Sequence, residues 1–315
     1  MKQFTGNNHS DASEILDGLH KKYFESGSLS EVASSHWKKY GAYQQAAKVG
    51  GKWVLSGIGF GDYSPRTWWR KIYYLPTTVF LLFLLRSSDR RIVGIAKSLA
   101  EKVGRMFSYD VARMILSCEL LIRNTSGFDG KTIAIIGDGY GFLGGLLKAV
   151  YPSARIIFIN LGRTLLYDVF YSFLAYPNLS HKLIVGRDDP FNVDFSYIEA
   201  ELVNEIGVCA DLFVNIASMQ EMDAEVIAAY FRIIRSQPCT TMFYCCNRIQ
   251  KVLPDGSVTK FSEYGWLDSD EVIIDDLCPW HQIAPMNRPP FFYKFDGPIQ
   301  HRFVRIRPGG EASVV

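Results

Sequence analysis

The sequence predicts an α/β protein with a doubly wound, mostly parallel β-sheet, closed by an antiparallel hairpin and preceded by a helical N-terminal region. Three observations support this fold class. Five strand-like segments alternate with helical segments after Lys131, a glycine-rich turn joins the first strand to the first helix, and two late strand-like segments flank a Gly-Pro turn. Alternating βα units form parallel sheets whose ligands bind at the carboxyl ends of the strands.

The N-terminal region shows helical spacing of apolar residues and no convincing strand alternation. Helices are predicted at residues 13–24, 30–48, 75–85, 91–107 and 111–124. The segment LPTTVFLLFLL is too short for a membrane span, which needs about 20 apolar residues. We expect a buried helix that begins at Pro76, with an arginine-flanked interfacial helix as the alternative. Residues 1–115 are expected to form a cap or dimerisation region, and residues 116–315 the main domain.

The main domain begins with the β-branched run at 132–136, which is typical of a strand buried on both faces. Further strands are predicted at 155–160, 182–185, 211–216 and 240–246. The intervening helices are predicted at 142–150, 165–175, 197–206 and 224–235. Residues 291–295 and 302–306 are predicted to pair as the closing hairpin.

Composition excludes several classes of protein. The 315 residues carry 34 Lys and Arg against 32 Asp and Glu, a formal net charge of +2, so we expect no nucleic-acid partner. Residues 1–13 are polar and lack the apolar run of a signal peptide. None of the six cysteines forms a CxxC pair, which favours reduced structural thiols and a cytoplasmic protein.

The glycine-rich turn reads Gly137-Asp138-Gly139-Tyr140-Gly141. Glycines allow a tight turn and bring the backbone close to a ligand, while the following helix offers unpaired N–H donors. The dinucleotide fingerprint G-x-G-x-x-G fits only as GYGFLG, which starts two residues beyond the strand end. The pattern G-x-G-x-G starts at the strand end and is typical of class I S-adenosylmethionine-dependent methyltransferases.

Longer stretches strengthen this interpretation. IIGDGYGFLGGLL, DLFVNIASMQEM, EVIAAYFRIIR and CCNRIQKVLPDGSVTKFSEYGW resemble the bacterial sugar O-methyltransferases, over residues 128–307. The resemblance implies a Rossmann-like fold, bound S-adenosylmethionine and a hydroxyl acceptor on a sugar or sugar-like molecule, often in natural-product or surface-glycan biosynthesis. Two positions depart from related enzymes, because Ile135 and Asn160 stand where acidic residues are usual. Asn160 can still accept a hydrogen bond from a ribose hydroxyl, without charge assistance.

The predicted site follows from these motifs. Cofactor-binding residues are expected in the glycine loop and at the strand ends: Gly137, Asp138, Gly139, Tyr140, Gly141, Asn160, Asp188, Asn215, Ala217 and Ser218. Asp188 follows the third strand, where this fold usually places a carboxylate for the adenine amine, although a solvated turn is an equal alternative. Acceptor-binding residues are expected in the later loops: Met222, Tyr244, Asn247, Arg248 and Trp280.

A hydroxyl acceptor needs a base to take its proton, and a histidine or carboxylate does this best. His281, in a loop before the hairpin, and Glu221, after the fourth strand, are the predicted catalytic residues, and His36 could reach the site from the N-terminal region. A divalent metal would need oxygen ligands, but the carboxylates at 268, 270, 271, 275 and 276 form no recognised spacing, so we expect no metal site. Trp68, Trp69, Tyr73, Tyr74, Trp266 and Trp280 offer stacking faces.

The sequence therefore predicts an S-adenosylmethionine-dependent O-methyltransferase that acts on a sugar or another small polar molecule, without a transmembrane span and with a homodimer as one option. The alternatives are a nicotinamide-dependent oxidoreductase that uses GYGFLG and a non-catalytic binding protein of the same fold.

Overall fold

The computed structural model describes residues 9–57, 74–285, 289–295 and 297–308. Its helices are α1 (His9–His20), α2 (Ser35–Tyr40), α3 (Leu75–Leu84), α4 (Arg90–Lys102), α5 (Tyr109–Arg123), α6 (Phe142–Val150), α7 (Gly162–Ala175), α8 (Val203–Ile206) and α9 (Ala224–Arg235). A π-helical turn, Lys21–Glu25, extends α1.

The strands before the carboxyl-terminal third are β1 (Gln45–Val49), β2 (Lys52–Ser56), β3 (Thr132–Ile136), β4 (Arg155–Asn160), β5 (His181–Leu183), β6 (Phe195–Glu199) and β7 (Leu212–Ile216). The remaining strands are β8 (Thr241–Arg248), β9 (Gln250–Val252), β10 (Val258–Lys260), β11 (Glu271–Leu277), β12 (Ile283–Pro285), β13 (Phe292–Lys294) and β14 (Ile299–Ile306).

The central sheet has eight strands in the order β11-β14-β8-β7-β3-β4-β6-β5. Strand β14 runs antiparallel to its two neighbours, β8 and β11, and the other neighbouring pairs in this sheet are parallel. The chain adds β4, β5 and β6 on one side of β3 and then, from β7 onward, adds strands on the other side. This confirms the predicted fold class, and the reversal beside β3 creates the crevice where such sheets bind ligands.

Two apolar layers cover the sheet. One layer joins α1, α4, α5, α6 and α7 through buried side chains such as Leu16, Ile92, Ile115, Leu146 and Leu165. The other layer contains α8 and α9. The predicted domain boundary, residue 115, lies inside helix α5. The first apolar layer includes residues that precede residue 115 and residues that follow it, so the buried core is continuous across the predicted boundary.

The predicted strands and helices of the first βα units match the observed ones closely, but two predicted helices are wrong. Residues 30–48 contain only the six-residue helix α2, followed by the hairpin of β1 and β2, which turns at Gly50 and Gly51, both with positive φ. The segment 197–206 begins inside β6, which is fully buried and pairs with β4 and β5.

The closing antiparallel element also differs from the prediction. Strand β14 pairs with β8 and β11, whereas β13, predicted as its partner, pairs with β12 in a separate two-stranded sheet. Strand β11 was not predicted, because its sequence, EVIIDDL, is rich in acidic residues, which are uncommon in strands. Its carboxylates form cross-strand ion pairs with arginines of β14, Glu271 with Arg305 and Asp275 with Arg302.

Helix α3 is less buried than expected. Leu81 is buried, but Leu82 is 70% exposed and Phe83 is 60% exposed, so the prediction of a buried helix is wrong. None of the helices in the described ranges combines the length and the apolar composition needed to span a bilayer.

Gly144 lets α6 pack closely on β4, because a Cβ atom there would lie 2.4 Å from the Phe158 ring and 3.0 Å from Ile156. We expect Gly144→Ala to lower the free energy of unfolding by about 1–3 kcal/mol through overpacking. Gly94 is the matched control, since it lies inside α4 and a Cβ atom there would meet no atom within 4 Å. Gly94→Ala should leave stability unchanged or raise it by up to about 1 kcal/mol. Urea denaturation measures both, and equal effects would contradict the packing argument.

Candidate functional site

A cavity of about 440 Å³ lies at the carboxyl ends of β3, β4 and β7. Its floor is the glycine loop after β3 together with the ends of β4 and β7. Its roof comes from residues 32–40, from α5 and from Phe295. The volume falls in the range of small-molecule sites, and the position is the one expected for a doubly wound sheet.

The glycine loop forms a tight floor for the cavity. Gly137 and Gly139 both have positive φ, 76° and 91°. A Cβ atom at Gly137 would lie 2.2 Å from Ser218 Oγ, so the loops after β3 and β7 can approach this closely only with glycine here. Of the loop residues predicted to bind the cofactor, Gly137, Asp138, Gly139 and Tyr140 line the cavity and Gly141 does not.

Asp138 lines the cavity and also caps α6. Its carboxylate accepts hydrogen bonds from the backbone N–H groups of Gly144 at 2.8 Å and Leu143 at 3.3 Å. Burial raises the pKa of Asp138 to about 6, although the hydrogen bonds from these N–H groups lower it. The cap satisfies otherwise unpaired donors at the first turn of the helix.

Asp168, on α7, was not predicted as a site residue. It holds the glycine loop through a hydrogen bond. It is fully buried, and its carboxylate accepts hydrogen bonds from the Gly141 N–H and from the Asn160 side-chain amide, both at 2.8 Å. Burial, reinforced by the nearby Asp138 carboxylate, raises the pKa of Asp168 well above its usual range. An acidic residue within the apolar run LLYDVF was the signal in the sequence, since a buried carboxylate needs specific partners.

Asn160, the predicted ribose ligand, ends β4 and lines the cavity. Its amide nitrogen donates to Asp168, and its oxygen accepts the Leu161 N–H at 3.0 Å. The carboxamide oxygen has two lone pairs, so one remains for a ligand hydroxyl.

Of the residues predicted after β7, Ala217 and Ser218 line the cavity but Asn215 does not. Ala217 has a positive φ of 60°. Asn215 is fully buried and makes four hydrogen bonds at 2.7–3.1 Å, to the Ile136 carbonyl, Ser218 Oγ, the Met219 N–H and the Asn247 amide. Its donors and acceptors are therefore used within the protein, and it holds the loop after β7 instead of lining the cavity.

Asp188 is exposed in the turn after β5 and lies outside the cavity lining. Asp188 was predicted from its place after the third strand, β5, but β5 is the edge strand, and β6 is the strand next to β4. After β6, Ala200 lines the cavity. Glu199, at the end of β6, accepts a hydrogen bond from Lys22 Nζ at 2.6 Å and thereby holds the segment after α1.

The opposite wall carries an ionisable cluster of His36, Glu221 and Lys251. Glu221 Oε1 lies 2.6 Å from Lys251 Nζ, and Glu221 Oε2 lies 3.4 Å from His36 Nε2. His36 and Glu221 both line the cavity. Burial lowers the pKa of His36; the Glu221 carboxylate opposes this, and the cations Lys251, Arg248 and Lys39 reinforce it. The lowered pKa favours the neutral imidazole, the form that a general base needs.

The roof also contains an ion pair between Asp110 and Arg113 on α5. The Arg113 guanidinium lies over the ring of Tyr109, 4.9 Å from its centroid, and 5.9 Å from the centroid of the Phe295 ring. Met222, which was predicted to contact the acceptor, also lines the cavity and directly follows Glu221 in the chain. The roof thus combines charged groups with aromatic and apolar faces.

His281 does not reach the cavity, and its predicted role as base is not supported by its position. It is buried with Cys246 and Cys278, and its ring packs edge-on against Phe295, 5.9 Å between centroids. Phe295 therefore separates it from the cavity.

The other predicted acceptor residues also lie outside the cavity lining. Tyr244 is fully buried and pairs with His301, and Asn247 is fully buried between Asn215 and Gln220. Trp280 packs edge-on against the same His301. Arg248 is outside the lining, but its charge acts on His36. Tyr244, Asn247 and Arg248 belong to β8, and Trp280 belongs to the short 3₁₀ turn after β11.

The carboxylates considered for a metal are paired with arginines or exposed. Asp270 forms a bidentate pair with Arg235, with both distances 2.8 Å. Among the aromatic candidates, Trp266 packs on Phe231 in the core, while Trp68, Trp69 and Tyr73 lie outside the described residues.

No protein-family model and no curated protein matches this chain. Solved structures match at low identity. The pyocyanin biosynthetic protein PhzM superposes with a TM-score of 0.39 and 13% identity, over 61% of this chain and 54% of PhzM, about half its length. A SAM-dependent methyltransferase from Aquifex aeolicus gives a TM-score of 0.36 and 10% identity, over 60% of this chain and 89% of that one.

A protein from Pyrococcus horikoshii, provisionally described as an RNA methyltransferase, gives a TM-score of 0.43 and 12% identity, over 71% of this chain and 100% of its own. At such values these matches concern the fold, and they assign no reaction or substrate to this chain.

Proposed function

We propose that this chain is an S-adenosylmethionine-dependent O-methyltransferase that acts on a hydroxyl of a sugar or another small polar molecule. One observation carries the proposal: a single cavity is lined both by the glycine loop at the switch point of the sheet and by a half-buried histidine–carboxylate pair, His36 and Glu221. The first element suits a nucleoside cofactor, and the second suits removal of a proton.

The residues around the floor fit such a cofactor. The glycine loop brings backbone close to the ligand, Asn160 offers an oxygen lone pair to a ribose hydroxyl, and Leu161 and Ala200 provide apolar surface for a base. When bound, the cofactor supplies an electrophilic methyl group on a sulfonium. Holding the acceptor oxygen about 3 Å from that methyl and in line with it is a matter of positioning.

His36 is the proposed general base. Its lowered pKa favours the neutral imidazole and it faces the cavity, and Glu221 can orient its ring and stabilise the protonated form. Glu221 itself is held by Lys251 at 2.6 Å, which suits a supporting carboxylate better than a base. We therefore propose His36 as the base in place of His281, which the sequence ranked above it.

The roof suits a small polar acceptor with an apolar face. Arg113 and Asp110 offer donors and acceptors for hydroxyl or acidic groups, while Trp37, Tyr40 and Phe295 offer ring surface.

One observation favours the alternative of a nicotinamide dinucleotide. Gly144, the last glycine of GYGFLG, packs tightly on β4, which is the role of the third glycine in the dinucleotide fingerprint. A comparison of ligands therefore has to include NADH.

We expect S-adenosylhomocysteine to raise the melting temperature of the wild-type protein, and NADH to leave it unchanged, because binding only the folded state stabilises it. Gly137→Ala should abolish the shift, since its Cβ would displace Ser218. Gly130→Ala is the matched control: Gly130 has a similar φ, +70°, but lies in open space before β3. Differential scanning fluorimetry measures all three proteins. A shift with NADH alone would favour the oxidoreductase, and a shift with neither ligand would favour a binding protein.

We expect His36→Gln to lower the rate of methyl transfer by about 10²–10⁴-fold, the usual contribution of a general base. Its affinity for S-adenosylhomocysteine should stay within about twofold by calorimetry, because His36 acts on the acceptor rather than on the cofactor. The assay follows radiolabelled methyl transfer from S-adenosylmethionine into a filtered small-molecule extract, with purified RNA as a parallel acceptor. His20→Gln is the control, because His20 bonds to the Ala46 carbonyl away from the cavity.

The pH profile gives a second readout. Since the pKa of His36 is lowered, the wild-type rate should be flat at neutral pH and fall only as the pH drops below about 6.5. Glu221 opposes this lowering, and Lys251, Arg248 and Lys39 reinforce it, so removal of Lys251 should move the fall to higher pH. Full activity of His36→Gln, or label in RNA alone, would refute this account.

A further inference from the structure

The mechanism leaves unused a buried cluster of Cys246, Cys278 and His281. Cys246 lies on β8, while Cys278 and His281 flank a short 3₁₀ turn that follows β11. All three side chains are buried, at 0%, 0% and 1% exposure. The ligand atoms all lie within 4.8 Å of one another, and in the described part of the chain no other such group of three occurs.

The distances fit a zinc site. His281 Nδ1 lies 3.0 Å from Cys278 Sγ and 3.7 Å from Cys246 Sγ. Zinc bonds sulfur at about 2.3 Å and imidazole nitrogen at about 2.0–2.1 Å, so tetrahedral geometry places such ligand atoms roughly 3.5–3.8 Å from one another. Small adjustments of three side chains would bring all of them into this range.

The imidazole of His281 lacks the partners that a buried histidine normally has. In the described residues its Nδ1 contacts only the two sulfurs, and its Nε2 has no hydrogen-bond partner. His181 shows the usual arrangement, with Tyr197 Oη at 2.7 Å and the Tyr176 carbonyl at 2.9 Å. Thiols are weak hydrogen-bonding groups, so they compensate a fully buried imidazole poorly. A metal ion bonded to Nδ1 would compensate it much better.

The charges also balance. Two thiolates neutralise one divalent cation, and Arg113, which lies near both sulfurs, is already paired with Asp110. Thiolate and imidazole ligands select zinc over magnesium or calcium, which prefer oxygen ligands.

We propose that Cys246, Cys278 and His281 bind one Zn²⁺ ion, which joins β8 to the turn behind the cavity roof. The fourth position that zinc prefers is left for a water molecule. The ion lies behind Phe295 and acts on the shape of the roof, because Phe295 packs against the His281 ring and lines the cavity. This proposal is independent of the reaction proposed above.

The test is metal analysis of the full-length protein, purified without chelators and kept under a phosphine reductant. We expect about one zinc per chain by mass spectrometry, and loss of that zinc in Cys278→Ser and His281→Gln. Cys245→Ala is the matched control, since Cys245 is equally buried but faces the other side of the sheet. It should keep the zinc.

Cobalt titration keeps the proposal testable if the variants fail to fold. Co²⁺ added to metal-free wild-type protein should give an intense thiolate-to-cobalt charge-transfer band that zinc abolishes. Reduced, folded protein that neither contains zinc nor gives this band would overturn the proposal, as would zinc retained in full by both variants.

Discussion

The close approach of the loops after β3 and β7 is the constraint on which the cavity depends. Gly137 permits this approach, and Ser218 fills the space where any other side chain would begin. Asn215 then ties β3, β7 and β8 together through four hydrogen bonds, and those to the Ile136 carbonyl, the Met219 N–H and the Asn247 amide are buried. A buried partner left unpaired would cost about 1–3 kcal/mol, so these bonds favour the observed arrangement of the loops.

The N-terminal segment completes the cavity because it is fastened to the sheet at several points. Lys22 and Tyr23 bond to carboxylates at the end of β6, and Ser34 bonds to the Glu221 carbonyl. Gly162 makes room for the Tyr23 ring, since a Cβ atom there would lie 2.0 Å from it. These contacts hold residues 32–40 above the glycine loop, and they bring His36 to Glu221. The histidine that faces the cavity thus comes from the region that the sequence assigned to a cap.

The floor of the site could be predicted from the sequence because its signals are local. The run TIAII and the glycines after it specify a buried strand and a tight turn within a few residues. The roof could not, because it depends on pairings between distant segments: β11 carries acidic residues that arginines of β14 neutralise, and this charge complementarity is invisible in either strand alone. The position of His281 also depends on a pairing between separate segments. Strand β13 pairs with β12, and this pairing brings Phe295 between His281 and the cavity.

The central claim is that the glycine loop and the N-terminal segment together form one cavity, and that this cavity binds the cofactor. Hydrogen–deuterium exchange of the wild-type protein, with and without S-adenosylhomocysteine, tests this directly. Bound ligand should slow exchange at residues 137–144, 159–164 and 216–222, and also at residues 32–40, because all four segments surround the same cavity. Unchanged exchange in the glycine loop, or protection confined to other parts of the chain, would contradict the claim.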